Sequence, residues 1–114
     1  MSSSLPFGAT TIDEVTAEAG LHLPDDVVIE IDQDTTLVGH GIYGYCWPDG
    51  SQITLYPDAF DDVEQLLRTL VHELVHVRQV RENGPTTDSV MLQMREVEAY
   101  GEENAWWQSY LERR

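Results

Sequence analysis

From Pro57-Asp58 or Asp61 to about Glu82 the chain reads as one amphipathic helix, and that helix constrains most of what can be built around it. Val63, Leu67, Leu70, Leu74 and Val77 recur at helical spacing and form an apolar stripe. Thr69, His72, His76 and Gln79 fall on the opposite side. Asn83-Gly84-Pro85 supplies a stop of the expected kind. One face is therefore predicted to enter the core while the other carries two histidines toward a cleft.

The histidines belong to His72-Glu73-Leu74-Val75-His76, a His-Glu-x-x-His pattern. Four residues advance about 400° round a helix, so the two imidazoles stand about 40° apart and one turn along the axis. Both can reach a single zinc ion at about 2.0–2.1 Å. Glu73 points about 100° away, too far round to be a natural third ligand. It suits a general base that takes a proton from a metal-polarised water and passes it to a leaving amine.

Two histidines do not complete a catalytic site, which needs three protein ligands and an open position. In one large class the third ligand follows in His-Glu-x-x-His-x-x-Gly-x-x-His. Here Gln79 stands where the glycine should be and Glu82 where the histidine should be, so that class does not fit. A second helix, predicted from Asp88 almost to the C-terminus, offers Glu96 and Glu98 instead. Helices joined by a connection this short usually pack against each other, which brings that segment back over the histidine helix.

Glu96-Val97-Glu98-Ala99-Tyr100 resembles the Glu-x-Glu-Ala-Asp segment of the gluzincin metallopeptidases, with Tyr100 in place of the aspartate. Glu96 also lies twenty residues after His76, a separation similar to theirs. The resemblance covers residues 52–104, and in size and layout the chain is similar to the small minimal gluzincins. It implies a zinc metallopeptidase holding one ion through His72, His76 and Glu96, with Glu96 preferred over Glu98 and Glu73 catalytic. The substrate would be a peptide or protein lying along an exposed strand edge, supplied by a hairpin near 42–56. The missing aspartate would normally orient a zinc histidine. Glu103 or a backbone carbonyl would have to do so here. Tyr100, Tyr110, His22 and His40 are candidates for an oxyanion donor.

Residues 1–50 carry no such motif. Residues 1–9 read as a loose leader. Thr11-Ile-Asp-Glu14 fits a capping box, followed by a short helix that stops at Gly20. Val27–Ile31 reads as a strand. Apolar runs near 37–47 and 52–56 flank Pro48-Asp49-Gly50-Ser51, a turn in which proline presets φ and glycine accepts positive φ. Glycines 39, 41 and 44 weaken the first arm. The expected fold is a single α+β domain over 1–114, with a short N-terminal helix, an antiparallel sheet of about three strands, the histidine helix beside it and a long C-terminal helix. Trp106, Trp107, Tyr110 and Leu111 read as core or docking face for that last helix, and Gly101 as the mark of a close helix crossing.

The charge is lopsided: 21 acidic residues, six arginines and no lysine, for a net −15. That argues against nucleic acid or an anionic membrane as a partner, since both require a basic patch. It suits solubility or a cationic partner. No apolar run approaches the roughly 18 residues of a membrane span, and the N-terminus has no basic, apolar signal pattern, so a cytoplasmic location is expected. Cys46 is the only cysteine, reads as a small apolar strand residue, and gives no internal disulfide. Oligomeric state is not fixed by any of these features. The competing readings are a non-catalytic zinc-binding or interaction domain with an acidic surface, and a zinc hydrolase acting on a non-peptide substrate.

Overall fold

The computed structural model describes residues 5–114. Among these the chain forms helix α1 (Ala9–Ala19), strands β1 (Val28–Ile31), β2 (Gly44–Cys46) and β3 (Gln52–Leu55), and helices α2 (Val63–Asn83) and α3 (Ser89–Arg113). The class is α+β, as expected. Short 3₁₀ turns occupy Thr35–Leu37 and Pro57–Phe60. No helix of the described residues is long and apolar enough to cross a membrane.

The sheet differs from expectation in one pairing. Its order is β1-β3-β2: β2 pairs antiparallel with β3 through the Pro48–Ser51 turn, but β1 runs parallel to β3. The sheet is thus mixed. The chain leaves β1, crosses to the far edge and returns down the centre, so β3 is covered by both neighbours. Ile53 and Leu55 on it are fully buried. This leaves β2 as an edge strand.

The first hairpin arm is also shorter than predicted. Only Gly44–Cys46 forms strand, while Gly39 and Gly41 have φ of 83° and 72°. Their amides donate to the two carboxylate oxygens of Asp58, at 2.8 and 2.9 Å, in place of a strand partner. At the N-terminal end, residues 1–4 of the expected leader lie outside the described residues, and residues 5–8 are not loose. The Leu5 amide donates to the Phe60 carbonyl at 2.6 Å, and Phe7 meets Phe60 edge to face with centroids 5.3 Å apart. Helix α1 consequently begins at Ala9 with Gly8 at its N-cap and no side-chain cap, so Thr11 lies inside the first turn and the capping box does not form. Gly20, at φ 73°, closes it as expected.

Helix α2 begins later than the expected Pro57-Asp58 or Asp61, since Pro57–Phe60 forms a 3₁₀ turn. Its N-cap is Asp62, whose carboxylate accepts the Gln65 amide at 2.7 Å, and its C-cap is Gly84. Leu66, Leu67, Leu70 and Val77 bury its core face, although Val63 at the start of the predicted stripe is exposed. Asp88 caps α3 through the Met91 amide at 3.0 Å. Along α3, Trp107 is buried with Leu67 and Ala19, while Leu111 is exposed and so not core. Gly101 marks no close crossing: a Cβ there would meet nothing within 4 Å.

Candidate metal centre

The pairing of α2 with α3 makes the site. His72 and His76 project from α2, and Glu96 reaches them from α3. His72 Nε2 lies 3.2 Å from His76 Nε2 and 3.1 Å from Glu96 Oε1, and Glu96 Oε1 also contacts His76 Nε2. Glu98, the other candidate, is turned away. It accepts from Gln79 Nε2 at 2.7 Å and pairs with Arg78 at 3.2 Å.

The far side of each ring shows what these atoms are for. His72 Nδ1 faces Glu103 Oε1 at 3.0 Å, and Glu103 Oε2 accepts from Arg68 Nε at 2.7 Å. His76 Nδ1 faces Gln79 Oε1 at 2.8 Å. The Gln79 amide is oriented by its own donations to the Arg95 carbonyl at 3.0 Å and to Glu98. Both Nδ1 atoms therefore carry the proton and donate, and in the neutral rings both Nε2 lone pairs point at one another and at a carboxylate. Such an arrangement repels itself unless a metal ion or a proton lies between. Tetrahedral ligands at about 2.0–2.1 Å from zinc stand about 3.3 Å apart, close to the separations of His72 Nε2 from its two neighbours. His72, His76 and Glu96 could thus hold a metal ion.

Local electrostatics agree. Burial works against a charged His72, but its hydrogen bond to Glu103 and the charges of Glu73 and Glu96 outweigh it and lift its pKa above the usual imidazole value. Burial alone would raise Glu103, yet hydrogen bonds from His72 and Arg68 hold it below the usual carboxylate range. Glu73 behaves in the opposite way. Burial raises its pKa, with the two histidines only partly opposing. It is 7% exposed, and none of the described residues donates a hydrogen bond to it. Its side chain lies against β2, where a Cβ on Gly44 would come within 3.1 Å of its Cγ and 2.9 Å of Thr69 Cγ2.

These groups open into a cleft of about 840 Å³ between α2, α3 and the β2 edge. Of the expected oxyanion donors, Tyr100 lines it, edge-on to His72 with centroids 4.5 Å apart. Burial, with Glu96 and Glu103 adding, pushes its pKa up, so the phenol keeps its proton. Tyr110 stacks instead on Trp106 and packs against Trp107. His22 lines a separate hollow beside Leu74, and His40 is not part of the cleft wall.

Comparison with protein-family models, with curated proteins and with solved structures finds no match. The site therefore stands on its own geometry.

Three contributors carried weak signals or none. Gln79 lies three residues after His76 on the histidine face, a spacing that brings side chains together. Arg68 lies four residues before His72, on the same face by the same rule. Tyr43 at the cleft rim had no signal, since nothing in an irregular stretch says which way a side chain points. Cys46 lines the cleft as well, where burial, with Glu73 and Asp49 adding, pushes its thiol up to about 11.

Proposed function

We propose that the chain is a zinc-dependent metallopeptidase in which His72, His76 and Glu96 hold one ion and Glu73 is the general base. The observation that carries this reading is the convergence of two Nε2 lone pairs and one carboxylate beside a buried, unbonded glutamate, all facing one cleft. Zinc bound there would supply Lewis acidity, polarising a carbonyl and lowering the pKa of a water to about 7.

The chain's own residues supply the remainder. Glu73, whose pKa burial raises, accepts the proton of the attacking water and hands it to the leaving amine. Strand β2, unpaired on its outer edge, offers backbone groups to an extended peptide. Tyr100 keeps a phenol proton available to the developing oxyanion. A structural zinc site closes on four protein ligands. Among the described residues the group has three, because Glu98 serves Gln79 and Arg78 while Glu103 stands behind His72.

The test compares zinc content and casein cleavage in the wild type and Glu73→Gln. Zinc should be retained in both, and cleavage should fall at least about 10²-fold in the variant, the contribution typical of a positioned base. Protein without zinc after chelator-free purification would overturn the reading. Zinc bound with no cleavage would favour the non-catalytic zinc domain.

A further inference from the structure

The chain's charge balance makes one arginine conspicuous. With 21 acidic residues and six arginines, carboxylate partners are abundant. Arg68 is paired with Glu64 and Glu103, Arg78 with Glu98 and Glu102, and Arg81 with Asp26. Arg113 and Arg114 lack a carboxylate among the described residues but are exposed at the end of α3, outside the cleft lining. Arg95, half-buried in the cleft wall, has no carboxylate within reach among the described residues. Its only side-chain hydrogen bond there is from one terminal nitrogen to the Gly84 carbonyl at 2.8 Å. A guanidinium has five N–H donors, so most of its capacity is uncommitted.

Its surroundings form one end of the cleft. Pro48, Val80, Pro85, Thr86 and Leu92 line the same cleft as Arg95. The hairpin turn meets α2 at Val80, with Gly50 so close that a Cβ would come within 2.9 Å of Val80 Cγ2. Gly84, whose carbonyl Arg95 holds, lies eight residues along α2, about 12 Å, beyond His76. An extended peptide covers that distance in about three to four residues.

We propose that Arg95 is a specificity-determining residue that reads a carboxylate on the substrate about three to four residues from the scissile bond. The proposal rests on the peptide-substrate reading above. The carboxylate is either the α-carboxylate of a chain end or an aspartate or glutamate side chain, both of which suit the bidentate guanidinium fork. The protein's net negative charge opposes the anion at a distance, but salt screens that field within about 8 Å at physiological ionic strength. Selectivity therefore resides in the dissociation rate of the seated peptide.

The test reads binding without turnover. Zinc-loaded Glu73→Gln is titrated against fluorescein-labelled apolar hexapeptides of three kinds: a free C-terminal carboxylate, the C-terminal amide, and the amide with an internal glutamate. At least one carboxylate arm should bind about tenfold or more tightly than the neutral amide, the range for a hydrogen bond to a charged group. Adding Arg95→Gln should abolish that preference while leaving amide binding and zinc content unchanged, and Arg95→Lys should keep part of it. The proposal is overturned if no peptide binds, if no arm is preferred, or if the preference survives in Arg95→Gln, where the metal would be reading the carboxylate. Equal weakening of all three peptides with a lower Tm also overturns it, since Arg95 would then serve only to cap α2 through Gly84. Wild-type cleavage of casein is scored separately, so carboxylate-selective binding without cleavage would sink the peptidase reading, and with it the placement relative to a scissile bond, and leave Arg95 as the carboxylate reader of a peptide-binding cleft.

Discussion

Glu103 shows how much a single side chain can decide when its neighbours are fixed. It receives the Nδ1 proton of His72 on one oxygen and Arg68 on the other, so the ring is locked in the tautomer that frees Nε2. Glu103→Gln keeps an acceptor but removes the charge. Zinc affinity, measured by competition with a chromophoric chelator, should fall about 10–100-fold. The same experiment has a pH signature. The raised pKa of metal-free His72 means that a proton competes with the ion as pH falls, with onset above the ordinary imidazole value of about 6.5. Removing the Glu103 charge should move that onset to lower pH even as affinity drops; an unmoved onset would show that Glu103 does not support the imidazolium. In a parallel pair, Glu96→Ala should lose zinc and Glu98→Ala should keep most of it, because only Glu96 shares the histidines' focus. The pentad was legible from spacing because a helix turns local sequence into geometry. Glu96 depended on resemblance, since two carboxylates two residues apart differ only in which side of α3 meets α2. The sequence placed Glu103 only as one of two alternatives.

At the scale of elements, two glycines test where backbone proximity matters. Gly44 of β2 has Thr69 and Glu73 of α2 against it, whereas Gly101 of α3 faces open space. Gly44→Ala must push the stiff Thr69 methyl or the strand itself, and overpacking of this kind costs about 1–3 kcal/mol. It also displaces Glu73, so if the proposed base role holds, casein cleavage should fall more than zinc content. Gly101→Ala should instead stabilise by about 0.5–1 kcal/mol, the cost of glycine in an exposed helix interior. Urea denaturation of both variants checks the signs, and equal effects would mean that β2 does not bear on α2 as described. The ends of α2 and α3 and the hairpin turn were partly readable because Gly84, Asp88 and Pro48–Ser51 announce them locally, whereas the N-caps of α1 and α2, at Gly8 and Asp62, were not the residues expected. The parallel β1–β3 pairing was not, since a run such as Val27–Ile31 states that it will be a strand without stating its neighbour. The same limit hid the Asp58 tether: Asp58 lies 17 and 19 residues from the amides it holds, and no local pattern links them.

At the scale of the whole molecule, the ion should act as a staple for the fold. The net charge is −15, and Glu73, Glu96 and Glu103 are gathered near one point between α2 and α3. The cross-helix pairs of Arg78 with Glu98 and Glu102 are exposed, and such pairs contribute about 0–1 kcal/mol each. A cation held by ligands from both helices binds the folded state and finds no preformed site in the unfolded one. At a free concentration of 100 times Kd this linkage is worth about 2.7 kcal/mol. For a domain of this size each kcal/mol moves Tm by roughly 4–8 °C. Chelation should thus lower Tm by about 10 °C or more, and added zinc should restore it. Magnesium or calcium should not, because two imidazoles favour a borderline metal over hard cations that prefer oxygen. Glu96→Ala should abolish the zinc response, while Glu73→Gln should retain it, since Glu73 lies outside the ligand set. A thermal scan indifferent to chelator and zinc alike would mean that the α2–α3 pairing holds without an ion, and that the close approach of His72, His76 and Glu96 reflects shared protons instead.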